Sequence, residues 1–393
     1  MRRFTRNFVM GMAAAALALT ATSCDDNEGG SKQTDLGGTN EEYQAVLGSF
    51  VETTVVPTYR QLAEAALVMR SANEALKSTP SDATMEAASD AWMDARIKWE
   101  ISEAFLFGPV GDQALDVDGH IDSWPLELED ITTEIAKGTL TGIDAWGKEG
   151  EVIGFHVTEY LLYRDGDARP VADLTANELS YLTAATDALV WDCIMAYVAW
   201  VGYDNVPAEM QSVFNENPAI AAHLNNNPSY KNFATHLKNK TGLYVNQSWA
   251  AAMSEIASGA AEIAGEVGAA KIAEPYDEVN VLKVESWYSW HSLDDYTNNI
   301  LSIKNAYMGG MDDNSRPAVS LSTYIKSKDA SLDASIKAKI EDCMAKIKAI
   351  GNNGQYSFYE VVRDQINKSQ VEAAEKACDD LRLLFEFIRD NVY

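Results

Sequence analysis

From Glu41 to the C-terminus, apolar residues return every three to four positions, and the alternation of a half-buried strand is almost absent. An α-helix repeats every 3.6 residues, so this spacing predicts an all-α body in which each helix buries one stripe. The clearest stripe covers 81–106 through Met85, Ala88, Trp92, Ala95, Trp99, Ser102 and Leu106, and Gly108-Pro109 stops it. Thr175-Ala176-Asn177-Glu178 reads as a capping box before 179–201, and Ser369-Gln370-Val371-Glu372 reads the same way before the last helix. Pro57 is expected to kink or break the first long helix, 46–76. A polar passage rich in Asn and Pro, 203–240, interrupts the pattern and predicts a connector. A second helical set follows over 243–267, 287–307, 331–350 and 371–392. Each half offers about four long helices, the number that closes a bundle around one core. The expectation is therefore two helical bundles, 41–202 and 241–393. A faint echo between Phe105-Leu106-Phe107-Gly108 and Ala306-Tyr307-Met308-Gly309 leaves a duplicated four-helix-bundle unit open.

The start of the chain is of another kind. Arg2, Arg3 and Arg6 precede an apolar run over 8–21, and Ala21-Thr22-Ser23-Cys24 follows, which is the three-part layout of a secretory signal. Small residues directly before a cysteine are similar to a bacterial lipoprotein cleavage box. Residues 1–23 are thus expected to leave as a signal peptide, with Cys24 as the lipidated first residue. Residues 24–40, acidic and Gly-rich, read as a flexible tether. No later run of 18 apolar residues occurs, so the membrane is reached through the lipid anchor alone. The net charge of −28 repels nucleic acid and anionic lipid and concentrates cations, which excludes nucleic acid as a partner. Cys193, Cys343 and Cys378 stand singly, and an odd number argues against a disulfide framework. They read as buried thiols, and whether Cys343 meets Cys378 is left to the fold.

Candidate chemistry gathers in four stretches. In Gly154-Phe155-His156-Val157-Thr158-Glu159, within a helix expected over 151–163, His156 and Glu159 lie three apart on one face. Apolar or aromatic neighbours, Val152 and Tyr163, turn that face inward. Beside the Trp92/Trp99 stripe run Arg96, Glu100 and Glu103, charges along the border of a buried face. Together these glutamates and the imidazole supply three oxygens and one nitrogen, a set that suits iron, with zinc or copper as alternatives. Arg96 can neutralise a carboxylate when no ion is bound. Between the two helices Asp112, Asp116, Asp118, His120 and Asp122 crowd a loop that lacks EF-hand spacing, and Asp116 is the first choice to close the site. In Glu285-Ser286-Trp287-Tyr288-Ser289-Trp290-His291 hydroxyls and aromatics gather, and they read as core packing.

Trp99-Glu100-Ile101-Ser102-Glu103-Ala104-Phe105-Leu106-Phe107-Gly108-Pro109, Asp122-Ser123-Trp124-Pro125-Leu126 and the GxHxxE stretch Gly154 to Glu159, in this order, resemble the imelysin-like family. The likeness runs to Tyr393. It implies an all-helical, two-bundle fold with a site between the bundles, and export to the envelope of a Gram-negative bacterium. There the chain would be an outer-membrane lipoprotein facing the periplasm or the cell surface, linked to iron uptake and to an envelope iron-transport partner. Founders of that family are described as insulin-cleaving metalloproteases. Related periplasmic iron-uptake components place ligands on an ExxE and an HxxE, which match Glu100, Glu103, His156 and Glu159 here. Asp116 matches by approximate spacing only, and His291 matches no family position. Two function classes compete: a module that holds iron or an iron chelate and hands it on, and a metal-dependent peptidase. A hydrolytic site needs about three protein ligands, an open position and a separate base, so an oxygen-rich closed site favours binding.

Cys24→Ala is expected to move the protein from the membrane to the soluble fraction, and intact-mass measurement should find an acylated Cys24 at the N-terminus of the wild type.

Overall fold

The computed structural model describes residues 35–111 and 114–393. The signal peptide, Cys24, most of the tether and Asp112 lie outside the described residues. From Asp35 the chain is one compact unit, helical apart from a two-residue pairing of Tyr163–Arg164 with Asp167–Ala168. The last part of the expected tether already packs: Leu36 is fully buried, and its carbonyl accepts from the Tyr324 hydroxyl.

Nine helices carry the architecture. They are α1 (Asn40–Phe50), α2 (Val56–Ser78), α3 (Asp82–Glu100), α4 (Gly154–Leu162), α5 (Ala176–Val201), α6 (Trp249–Glu266), α7 (Ser292–Met308), α8 (Ala330–Ile350) and α9 (Lys368–Asn391). Pro57 neither breaks nor ends the first long run. A π-helical turn, Val51–Val55, joins α1 to α2, and Pro57 falls in the first turn of α2, where the missing N–H is harmless. The Thr175–Glu178 capping box is present at α5. The one expected at Ser369 is not: α9 starts at Lys368 after Asn367 in a left-handed conformation, whose side chain donates to the Ile350 carbonyl at the end of α8 (2.8 Å).

In one set, α2 packs between α3 and α5, and α4 lies against α3 and α5. In the other, α6, α7, α8 and α9 pack on one another. The sets do not divide at one chain position, because α1 packs against α6. Nor is 203–240 an unstructured connector. It forms three short helices, Ala208–Phe214, Pro218–Asn226 and Phe233–Asn239, and Phe233 sets its ring edge-on to Trp200 at 5.1 Å, inside the continuous core. The sequence hides this because Asn and Pro serve as caps here: Asn217 caps the helix that Pro218 opens. α5 is long and apolar enough to cross a membrane, but 89% of its most apolar window is buried inside the protein, as in a core helix. Cys343 on α8 and Cys378 on α9 do meet, as buried free thiols with sulfurs 3.4 Å apart.

Two features aim α3 and α4 at each other. Trp92, fully buried, donates through Nε1 to the Phe155 carbonyl and the Thr158 hydroxyl, both at 3.0 Å. Truncating such a side chain removes about 3–5 kcal/mol of packing. Gly154 begins α4 at φ +82°, and a Cβ there would lie 2.4 Å from the Ile121 carbonyl oxygen, so both backbone conformation and space require glycine. This places α4 on the short helix Val117–Ile121. That helix is held in turn by His120, whose Nδ1 is 2.6 Å from Asp192 Oδ2 on α5 and whose Nε2 is 2.9 Å from the Lys148 carbonyl. Burial works against charging His120, but Asp192 outweighs it and lifts the imidazole to about 9.

The folded state therefore binds a proton here that the unfolded chain releases near pH 6.5. Stability from this pair is fully present below about pH 6.5 and is lost as pH rises through about 9. Urea denaturation should show this alkaline loss in the wild type. His120→Gln should lower stability at pH 6 by about 1–3 kcal/mol and flatten the loss.

Candidate metal centre

Arg96 sits three-quarters of the way along α3, and its side chain is entirely buried. Four carboxylates surround the guanidinium. Glu100 and Asp122 lie in direct contact, Glu285 Oε1 is 2.7 Å from one terminal nitrogen, and Asp295 Oδ2 is 3.3 Å from Nε. Two come from the α3 side and two from α7 and the loop before it. Lys271, on the π-helical stretch Val267–Ala273, adds a second cation 3.1 Å from Glu285 Oε2. Around these ions the neutral donors are fixed. Trp99 Nε1 donates to Asp122 Oδ2 (2.7 Å), the Ser286 hydroxyl to Asp295 Oδ2 (2.5 Å), and the Asn299 amide to Glu100.

The HxxE pair lies at the edge of this shell. His156 Nδ1 is 3.2 Å from Glu159 Oε2, while Glu159 Oε1 accepts from both the backbone N–H (2.8 Å) and the hydroxyl (2.7 Å) of Ser289. Ser286 and Trp290, both in the left-handed region at φ +50° and +61°, turn the 285–291 loop so that its polar groups meet the shell. The other imidazole nitrogen, Nε2, is buried without a hydrogen-bond partner. It lies 3.1 Å from Asp122 Oδ1, an ion pair when the ring is protonated, and 3.9 Å from Glu285 Oε1. Asp122, His156 and Glu285 can bring one ligand atom each within 4.8 Å of one another, and so can Glu100, Glu285 and Asp295.

Electrostatics divide the acids. Burial pushes Glu100 and Glu103 well above the usual carboxylate range, and Asp295 to about 6 against the pull of Arg96. Burial opposes ionisation of Asp122 as well, but Arg96 and His156 prevail and hold its carboxyl well below that range. Burial and the Arg96 charge both disfavour the His156 imidazolium, yet Asp122 and Glu159 hold the ring up to about 9. Proton competition at this nitrogen thus extends above the unperturbed value of about 6.5.

The imelysin family model matches residues 55–386. The chain belongs to the imelysin family. It is 25% identical over 308 residues, 78% of this chain and 73% of the relative, to Iron-regulated protein A of Synechococcus elongatus. Among solved structures it is similar to a putative iron-regulated protein A precursor from Parabacteroides distasonis, at 28% identity and a TM-score of 0.74, covering 91% of this chain and 96% of that one. An imelysin-like protein from Psychrobacter arcticum, 14% identical with a TM-score of 0.59 over 88% and 94% of the two chains, shares the fold.

Of the family-matched residues, Glu100 lies in the Arg96 shell, His156 and Glu159 at its edge, and Glu103 beside Lys271. α3 ends at Glu100, because Ser102 folds back on the Trp99 carbonyl with both its N–H (2.8 Å) and its hydroxyl (2.7 Å). Glu103 then lies on a separate 3₁₀ turn, buried near Lys271 rather than on the helix face of Glu100. Asp116 does not close the site. It is exposed and opens the helix 117–121 in a left-handed conformation, whereas Asp122 at the other end enters the shell. Asp122, Glu285, Asp295 and Lys271 were not chosen from the sequence. Asp122 carried a signal, its place beside Trp124-Pro125 in the family-like block, and Glu285 a weaker one, its place in the stretch of hydroxyls and aromatics over 285–291; Asp295 and Lys271 carried none. His291 caps the start of α7, with Nδ1 2.6 Å from the Ser289 carbonyl. A separate cavity of about 330 Å³, lined by Tyr203, Asn215, Asn225 and Lys231, shares no residue with the shell.

Ser289→Ala removes one donor to the Glu159 carboxylate and retains the backbone one. Chemical denaturation should show a loss of about 1.5–3 kcal/mol, the range for a buried hydrogen bond to a charged group.

Proposed function

We propose that this imelysin-family chain binds a divalent transition-metal ion, iron foremost and zinc or copper by the same chemistry, between Asp122, His156 and Glu285. The observation that carries this reading is His156 Nε2, a buried ring nitrogen that lies 3.1 Å from Asp122 Oδ1 and 3.9 Å from Glu285 Oε1, carboxylates from two other elements. One imidazole and two carboxylates suit these ions. Glu159 is the positioning residue: its oxygens are committed to Ser289 and His156 Nδ1, an outer-shell arrangement that orients a histidine ligand. The names of the relatives, iron-regulated protein A, favour iron as cargo. Release to an envelope iron-transport partner from a Cys24 lipid anchor completes the proposal. Binding is preferred over peptide hydrolysis because the three ligands are enclosed: the His156 side chain has no exposure and those of Asp122 and Glu285 are 6% and 9% exposed, a narrow access for a peptide.

Calorimetric titration with zinc, and anaerobically with ferrous iron, tests this. His156→Ala, Asp122→Asn and Glu285→Gln should each weaken binding by more than about 100-fold, and Glu159→Gln by about 10–100-fold. Wild-type affinity in the three ligand variants would overturn the assignment. Metal-dependent cleavage of an unfolded peptide by a wild type without measurable metal affinity would favour the peptidase.

A further inference from the structure

Each carboxylate oxygen that the proposed ion would use is already engaged. Asp122 Oδ1 touches one terminal nitrogen of Arg96, and Glu285 Oε1 lies 2.7 Å from the other. These are the same oxygens that face His156 Nε2. A guanidinium and a divalent ion bound to one pair of oxygens in a dry interior repel strongly, since no water screens them. Hydrogen bonds from neutral donors would not conflict with an ion in this way.

We propose that Arg96 is a built-in counter-cation that competes with the metal for Asp122 and Glu285, so that ion capture requires the guanidinium to withdraw from both. This rests on the binding site proposed above and concerns its regulation. Part of the guanidinium's present contacts would outlast that withdrawal. Glu100 and Asp295 contact Arg96 and are not among the three ligands, and the Phe155 ring lies 5.5 Å from the guanidinium carbon. Lys271 Nζ, 3.1 Å from Glu285 Oε2 and 3.2 Å from Oε1, is a second cation at that ligand; it can keep Oε2 paired during the exchange but must cede Oε1 to the ion. The ligands are thereby kept paired without an ion, and the ion is held less tightly than the three ligands alone would hold it. That is the behaviour of a carrier that loads and releases, in contrast to a structural metal site.

Zinc titration by calorimetry of the wild type, Arg96→Gln and Arg96→Met tests the competition. Removing the positive charge should tighten zinc binding by about tenfold or more. Equal or weaker zinc binding by a folded Arg96 variant, beside a wild type that binds, overturns the competition and leaves the site standing. Zinc binding by neither overturns both. Because four acids lose their partner, either variant could fail to fold, so the wild type supplies a second readout. In ¹⁵N-arginine-labelled protein the Arg96 Nε–H resonance should shift or exchange faster in step with zinc loading. An unchanged resonance at saturation overturns the proposal.

Discussion

A guanidinium with no exposure, in contact with four carboxylates, joins α3, the end of the 117–121 helix, the 285–291 loop and α7. Little else in the described residues ties the two helical sets together by charge so directly. Burying these ions is unfavourable by itself, and their attraction repays desolvation only when every partner is in place. The contact therefore specifies an arrangement more than it adds stability. Its partners are set by local devices: the Ser102 turn that ends α3, the glycine at 154, and two left-handed residues in the 285–291 loop.

His156 and Glu159 divide their work within that arrangement. The spacing of three on a helix was read as two ligands side by side, yet Ser289 takes one Glu159 oxygen and His156 Nδ1 the other. What Glu159 then fixes is the direction of the ring, with Nε2 pointing at acids from two other elements. A histidine held this way is pre-oriented, and enclosure raises the strength of every charge around it. On the proposed reading, enclosure favours holding an ion over cutting a chain, since hydrolysis needs an open coordination position that substrate can reach.

Helical class, the α5 capping box, the inward face of His156 and the family likeness were legible in the sequence, because each depends on residues within a few turns of one another. The C-terminal end of α3 and the start of α9 were not, since Ser102 and Asn367 act through turns that periodicity does not record. The same limit explains why the 203–240 passage reads only as a polar connector, although its short helices also place Phe233 and Leu237 in the core.

The sequence by itself determined that this chain is all-α, that it resembles the imelysins, that His156 and Glu159 face inward and that Arg96 and Glu100 border a buried face. Only tertiary structure decided what they face. Arg96 and Asp295 are 199 positions apart, and Glu159 and Ser289 are 130 apart, so no local pattern links them. Asp122, Glu285, Asp295 and Lys271 look like ordinary charges in an acidic chain. Packing α7 and the 285–291 loop against α3 strips their water, and desolvation turns solvated charges into a shell that must be filled by a cation.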